Sequence, residues 1–276
     1  KNYKIHFCSP SGSDAVEASL KLCRCATKRQ NIISFSGCFH GQTQGALQLM
    51  GNKNSKTQTN LPLLNTIIFP YPNSFHYELH YSSILNLLKQ TLEDDENGII
   101  KPAGLIIECV QGESGAVVAD FEFIKGIRNL CTQFNIPMIV DEVQSGWLRT
   151  GTNFAFNHSE IIPDVVVCSK SAGGSQPLAF ILYKPELDVW NAGAHTGTFR
   201  GNQIAFVTGK YVLEYLRLND YEYRINLISC YFINKLTVLQ IDFPNHIYHV
   251  TGLGLMLGIQ IHSNNKPDGN KAKLIQ

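Results

Sequence analysis

Apolar residues follow two different spacings along this chain, and the change from one to the other predicts its elements. Short apolar runs bounded by Gly, Pro or polar residues indicate buried strands, whereas apolar positions three or four residues apart indicate one-sided helices. Strands are predicted at 32–36, 104–110, 137–141, 164–168 and 178–183. Helices are predicted at 14–28, 82–92, 121–135, 203–218 and 221–239. Such alternation is typical of an α/β fold with a mostly parallel central sheet flanked by helices.

The remaining segments are assigned from local composition. The stretch HVTGLGLMLGIQI predicts a hairpin or strand pair, residues 51–60 a loop rich in Gly and Asn, and the tail 263–276 a loop. Asp14 and Glu17 have the spacing of a capping box at the start of the first helix. We expect a large domain at 1–214 and the beginning of a smaller carboxyl-terminal α/β domain at 215–276.

Composition and charge narrow the class of protein. Of the 276 residues, 44% are hydrophobic and 16% are charged, and the formal net charge is +1, all of which is ordinary for a soluble globular protein. No basic stripe suggests nucleic acid or an anionic membrane as a partner. No apolar run approaches the ~20 residues that span a bilayer, and the start resembles no signal peptide. The absence of an initiator Met indicates a fragment.

Cysteine and histidine usage argues against cross-links and metals. The eight cysteines are scattered without a C-x-x-C pair, which favours a reduced, cytoplasmic location over a disulfide framework. The nine histidines show neither H-x-x-x-H nor Cys/His ligand spacing, so no metal is expected.

Two apolar strands end in ionisable residues. IVDEVQSG places Asp141 at the end of one strand, and DVVVCSK places Lys170 just after another. Open parallel sheets bind ligands at the carboxyl ends of their strands. A lysine held in such a cleft loses proton affinity and can act as an amine nucleophile that forms a Schiff base. A simple Lys–Asp ion pair at the edge of a cleft explains these two residues equally well.

The stretch CSPSGSDAVEA is a candidate phosphate-binding site. A Gly between serines at a helix start directs backbone N–H groups and the helix dipole at one point, although a plain Ser N-cap is the commoner meaning of such a stretch. Proteins that bind pyridoxal 5'-phosphate supply a phosphate-binding site, an amine nucleophile and a buried carboxylate. The cation that faces Asp141 is therefore expected to be the cofactor ring nitrogen rather than a side chain.

These residues resemble the class III pyridoxal-phosphate-dependent aminotransferases of fold type I. The motifs that carry the resemblance extend over most of residues 8–209 and occur in the family's order: SGSDAVEASLKL, FSGCFHGQTQGAL, VQGESG, DEVQSGWLRTG, PDVVVCSKSAGGSQPLA and HTGTFRGNQIA. Several of them resemble the branch that uses 2,4-diaminobutyrate and 2-oxoglutarate more than the ornithine or acetylornithine branches.

The resemblance implies a role for each matching position. Lys170 would hold the cofactor and move the substrate proton, and Asp141 would pair with the ring nitrogen. Glu113 would help to switch between the amino donor and the 2-oxo acid, and Thr198 would reach the phosphate of a neighbouring subunit, which implies a homodimer with shared sites. The positions expected to bind the cofactor are Ser11, Gly12, Ser13, Phe39, His40, Asp141, Val143, Gln144, Lys170 and Thr198. Val143 and Phe39 would contact the two ring faces, and Gln144 would lie near the phenolic oxygen.

The chain also departs from the family pattern. The family's amino-terminal segment and most of its small domain, with the arginine that binds the substrate carboxylate, are not matched. Thr251 stands where R-G-x-G-L usually begins, and Gln176 stands where a small or apolar residue is common. We expect transfer of the terminal amino group of L-2,4-diaminobutyrate to 2-oxoglutarate, giving aspartate 4-semialdehyde and glutamate. The alternatives are another class III ω-aminotransferase (for ornithine, acetylornithine or 4-aminobutyrate) or a silent cofactor-binding homologue.

Overall fold

A seven-stranded sheet forms the centre of the protein in a computed structural model that describes residues 3–57, 65–73, 79–264 and 266–275. Its strand order is β1-β9-β8-β7-β4-β2-β3. Every strand except β9 runs in the same direction, because β9 is antiparallel to both of its neighbours. The strands are β1 (Lys4–Phe7), β2 (Ile32–Phe35), β3 (Thr66–Phe69), β4 (Gly104–Ile107), β7 (Met138–Asp141), β8 (Val165–Cys168) and β9 (Phe180–Tyr183).

Two smaller sheets and eight helices complete the described part of the chain. β5 (Val110–Gln111) pairs with β6 (Val117–Val118), and β10 (Ile247–Leu253), β11 (Met256–Ser263) and β12 (Lys266–Pro267) form a third sheet. The helices are α1 (Gly12–Thr27), α2 (Gln44–Leu49), α3 (Lys53–Thr57), α4 (Tyr81–Glu93), α5 (Phe121–Gln133), α6 (Gln203–Leu218), α7 (Tyr221–Asp242) and α8 (Gly269–Ile275).

Helices cover both faces of the central sheet, which explains why its inner strands are apolar throughout. Successive side chains of a strand point to opposite faces. Ile106 of β4 and Ile139 of β7 therefore pack with α1, whereas Leu105 and Val140 pack on the other face with α4 and α5. The core lies in two layers, one on each side of the sheet.

The sequence-based prediction is confirmed for every predicted strand and helix, with end shifts of a few residues. The mostly parallel α/β fold and the terminal hairpin are also confirmed. Two predictions of loop structure were wrong. The tail contains β12 and α8, and α3 lies inside the predicted loop at 51–60, of which 58–60 fall outside the described residues. The proposed boundary near 215 stays a prediction, and α6 continues across it.

The predicted capping box was wrong, because Asp14 and Glu17 have separate partners. The N-cap of α1 is Ser11, whose side chain makes no capping bond. The Asp14 carboxylate accepts the backbone N–H of Ser9 at 2.8 Å. Glu17 Oε1 accepts the Thr43 hydroxyl at 2.6 Å and the N–H groups of Gly45 and Ala46 at 2.7 and 3.1 Å. Glu17 thus caps the start of α2 from a neighbouring helix.

Replacing Glu17 with alanine is expected to destabilise the fold by about 1–3 kcal/mol, because two backbone donors at the start of α2 lose their charged acceptor. Glu17→Gln retains one acceptor oxygen and should cost about half as much. Urea unfolding of the two variants and the wild type measures the difference. Equal stabilities of the alanine variant and the wild type would show that α2 needs no cap.

None of the described helices is both long and apolar enough to cross a membrane. All eight cysteines are free thiols, and six of them are buried: Cys8, Cys23, Cys38, Cys109, Cys131 and Cys168.

Candidate active site

The ends of three neighbouring parallel strands bring ionisable side chains together at one edge of the sheet. In the register of the sheet, Ile107 lies beside Val140 and Asp141 lies beside Val167. Glu108 directly follows β4, Asp141 is the last residue of β7, and Lys170 comes two residues after β8. All three therefore lie at the same edge of the sheet, where ligands of parallel sheets bind.

Asp141 is almost completely buried, with 4% of its surface exposed, and both of its carboxylate oxygens have partners. Oδ1 accepts the N–H of Val143 at 3.0 Å, and Oδ2 accepts the Nδ1–H of His40 at 2.7 Å. Burial lowers the pKa of His40, but the neighbouring Cys38 and Asp141 side chains raise it by more, so this pKa lies well above its ordinary value.

This geometry corrects the expectation that no side chain supplies the cation beside Asp141. His40 supplies it, so a buried Asp141 is compatible with folding before any ligand binds. A carboxylate has about four lone-pair sites, and Asp141 uses two of them, so the group can still accept a hydrogen bond from a ring nitrogen. His40 itself contacts Asp141, and its role is to position and charge-balance this carboxylate.

Lys170 has a strained backbone and a perturbed amine. Its φ of 44° lies in the left-handed region, which costs a non-glycine residue roughly 1–3 kcal/mol and occurs preferentially at functional sites. Partial burial lowers the pKa of the Lys170 amine, although the Asp141, Glu113 and Glu108 carboxylates oppose that shift. A larger neutral fraction makes the amine a better nucleophile.

The start of α1 faces the ends of β7 and β8. A Cβ atom at Gly12 would lie 3.0 Å from a Val143 methyl group and 3.7 Å from the Cβ of Ser169, so only a glycine allows this approach without adjustment. Ser13 Oγ accepts the Gln42 N–H at 3.4 Å, and Gly41, with φ of +122°, passes close to that hydroxyl. The start of α1 at Gly12 therefore lies against Val143 and against Ser169, the residue before Lys170, and the N-terminus of α1 is the positive end of its dipole.

The remaining predicted residues have distinct positions. Gln144 Nε2 donates to Glu113 Oε1 at 2.8 Å, which joins the loop after β7 to the exposed turn between β5 and β6. Phe39 is half-buried, and Thr198 lies exposed in the segment before α6. The part each of these residues plays in cofactor or substrate binding stays a prediction.

Glu108 is a site residue that the sequence analysis missed. It is 4% exposed, and its Oε2 accepts the backbone N–H of Phe39 at 2.9 Å. Burial raises the pKa of its carboxyl, while charged His40 lowers it. The signal that identified Asp141, a carboxylate after an apolar strand, is present here too. This signal was overlooked because the predicted strand extended to residue 110, whereas β4 ends at Ile107.

Glu142, the neighbour of Asp141, points away from the site into the loop that follows. It is fully buried, and its carboxylate accepts the Ser145 hydroxyl and the N–H groups of Ala155 and Phe156. Burial raises the pKa of Glu142 to about 7, despite these three hydrogen bonds. Its task is structural, because it fixes the turn at 145–156.

Because the pKa of Glu142 is raised in the folded state, the free energy of unfolding depends on pH. The folded state holds the proton up to about pH 7, whereas the unfolded chain loses it near pH 4.5, so the free energy of unfolding should fall as pH rises between these values. Since a shift of this size corresponds to roughly 3 kcal/mol, Glu142→Gln should reduce that fall by up to about this amount. Urea unfolding at pH 5 and pH 7.5 measures it, with exposed Glu96→Gln as the control. An unchanged pH dependence in Glu142→Gln would contradict the assignment.

The comparisons with known proteins agree with the fold. The family profile described as aminotransferase class-III matches residues 2–275, so this chain belongs to the class-III aminotransferase family. An amine transaminase from an uncultivated Pseudomonas species, solved in its PLP-bound form, superposes with a TM-score of 0.87 at 23% identity, covering 98% of this chain and 65% of that one. This likeness shows that the two chains share a fold.

Two curated relatives carry the name of the same kind of aminotransferase. A diaminobutyrate–2-oxoglutarate aminotransferase from Rhizobium meliloti is 41% identical over 264 residues, which are 94% of this chain and 56% of the relative. The corresponding protein of Haemophilus influenzae is 42% identical over 265 residues, which are 94% of this chain and 58% of the relative. The chain therefore spans somewhat over half the length of these relatives.

Proposed function

We propose that this protein transfers the terminal amino group of L-2,4-diaminobutyrate to 2-oxoglutarate with pyridoxal 5'-phosphate as cofactor. The observation that carries the proposal is the placement of Lys170 and Asp141 at the ends of adjacent parallel strands, opposite the start of α1. The choice of substrate is supported by the names of the curated relatives at 41% and 42% identity.

The residues present fit pyridoxal phosphate in three respects. A Cβ atom at Gly12 would force Val143 to shift by a few tenths of an ångström, and helix starts of this kind bind phosphate. Buried Asp141 has acceptor sites left for a protonated ring nitrogen. Lys170 provides an amine of lowered pKa that can hold an aldehyde. When bound, the cofactor supplies a ring that withdraws electrons from the substrate carbon bearing the amine.

Lys170, Asp141 and Glu113 each have a separate role in the proposed reaction. The Lys170 amine would hold the cofactor, and in its neutral form it would take a proton from the substrate carbon as a general base. Asp141, hydrogen-bonded to His40, would accept a hydrogen bond from the protonated ring nitrogen and stabilise its charge. Glu113 carries a negative charge near Lys170 and is held by Gln144, so it can pair with an incoming cationic group.

A spectroscopic titration tests this proposal. Protein loaded with pyridoxal phosphate should change its visible absorbance on addition of L-2,4-diaminobutyrate and recover it with 2-oxoglutarate, with release of glutamate. Faster changes with ornithine, N-acetylornithine or 4-aminobutyrate would assign another ω-aminotransferase. Bound cofactor that responds to no donor would overturn the catalytic proposal and leave a binding protein.

We further propose that the active unit is a homodimer in the cytoplasm. Thr198 is exposed beside Phe199, which has 74% of its surface exposed, and α6 and α7 also expose large apolar side chains such as Ile204, Tyr211 and Tyr231. Large apolar side chains left exposed in this way are candidates for a protein interface. The free thiols fit a reducing compartment.

Sedimentation of the loaded protein should give twice the mass of the chain, and Phe199→Asp should shift the equilibrium toward the single chain. A single-chain mass for the loaded wild type at micromolar concentration would contradict the dimer.

A further inference from the structure

A cysteine, an aspartate and a histidine from three separate segments meet at one corner of the molecule. The Cys8 sulfur, a carboxylate oxygen of Asp14 and an imidazole nitrogen of His195 all lie within 4.8 Å of one another. Cys8 directly follows β1, Asp14 lies in the first turn of α1, and His195 belongs to the segment that leads to Thr198 and α6. Cys8 and His195 are buried, with 2% and 8% of their surfaces exposed.

The imidazoles at this corner have unused hydrogen-bonding capacity. His195 Nε2 is hydrogen-bonded to Asp14 Oδ2 at 3.1 Å, but Nδ1 of the same ring is buried without a hydrogen-bond partner. His6 packs against His195 with ring centroids 5.9 Å apart, and its Nε2 is buried without a partner as well. Because Nδ1 of His195 has no partner, it is free to take the imidazole proton if Nε2 binds an ion instead of donating to Asp14.

We propose that Cys8, Asp14 and His195 form a binding site for a zinc ion. Zinc prefers thiolate, imidazole and carboxylate ligands in a tetrahedral arrangement, and three protein ligands leave the fourth position to water. Two anionic ligands, Cys8 and Asp14, balance the charge of the ion. Sulfur and imidazole donors favour zinc and cobalt over magnesium and calcium, which prefer oxygen.

Proton transfer accompanies binding. A free thiol is mostly protonated at neutral pH, because its ordinary pKa is about 8.5. As the sulfur–metal bond forms, the thiol proton leaves to solvent. The neutral imidazole ligates through Nε2, and its proton moves to Nδ1, the nitrogen that lacks a partner in the free protein.

One cation lies close to the site. Arg200 Nη1 donates to the backbone oxygen of His195 at 2.7 Å, and its charge lowers the pKa of Cys8 while burial and Asp14 raise it. Arg200 thus opposes the ion by direct repulsion and favours the thiolate that binds it. The expected consequence of zinc is mechanical, because it would tie the segment that carries Thr198 to the start of α1.

Cobalt is a suitable probe because a thiolate ligand gives bound Co²⁺ a charge-transfer absorption in the near ultraviolet. Chelator-treated wild-type protein should bind one equivalent of Co²⁺ with this absorption and release about one proton. Zn²⁺ should displace the cobalt and abolish the absorption. Neither result depends on pyridoxal phosphate or on transamination, so failure here leaves the proposed function unaffected.

Variants locate the site. Cys8→Ala should abolish the absorption, and His195→Gln, whose amide can still donate to Asp14, should weaken binding by more than about 100-fold, since even losing a group that only orients a ligand costs 10- to 100-fold. Cys230→Ser, at an exposed thiol, is the matched control and should bind as the wild type does. Cobalt binding that survives Cys8→Ala, or that shows no thiolate absorption in the wild type, would overturn the proposal. If Cys8→Ala does not fold, loss of binding in folded His195→Gln supports the site and retention overturns it.

Discussion

Replacing Lys170 with alanine is expected to lower kcat for transamination by about 10⁴-fold or more. Under the proposed function, the variant would lose both the amine that holds the cofactor and the base that moves the substrate proton, and positioned acid–base catalysis alone contributes roughly 10²–10⁴-fold. The lowered pKa and the left-handed backbone at this position show that the fold maintains an unusual environment for this amine.

The loss can be measured independently of turnover. Borohydride reduction of the loaded wild type, followed by peptide mass spectrometry, should place the cofactor on the peptide that contains Lys170. The alanine variant should bind the cofactor without covalent attachment. Lys89→Ala, on the exposed face of α4, serves as the control and should leave attachment and rate unchanged. Attachment at any other lysine would contradict the assignment of Lys170.

Asp141→Asn is expected to lower kcat by roughly 10³-fold, the scale observed when one preorganised electrostatic contact is removed from a water-excluded site. An amide cannot hold the ring nitrogen in its protonated form, so the cofactor would withdraw electrons less strongly. The shape of the side chain is retained, so the fold and the contact with Val143 should survive.

A second readout comes from His40. Its pKa is raised in part by the Asp141 carboxylate, so Asp141→Asn should lower the pKa of this buried imidazole. Titration of the His40 ring by NMR measures the change, and exposed Asp95→Asn should leave it unaffected. A normal rate together with an unchanged His40 titration in Asp141→Asn would disprove the role given to this carboxylate.

The inner strands could be predicted from the sequence because both of their faces are buried. β4, β7 and β8 are apolar at successive positions. A short apolar run of this kind is typical of a strand that is covered on both faces. β1 was missed for the opposite reason: KIHF alternates polar and apolar residues at the edge of the sheet, where its first two residues are exposed. TIIF of β3 carried the same signal as the inner strands and could have been identified.

The order of residues along the chain by itself determined the α/β architecture and the candidate roles of Lys170 and Asp141, because each follows an apolar strand and the carboxyl ends of parallel strands share one edge. Only the tertiary structure decided their partners. His40 beside Asp141, Glu17 at the start of α2, and Cys8 next to Asp14 and His195 come from distant segments. Hydrophobic periodicity specifies which side of an element is buried. A hydrogen bond or a ligand contact requires atoms placed within about an ångström, and only the packing of the whole chain fixes such positions.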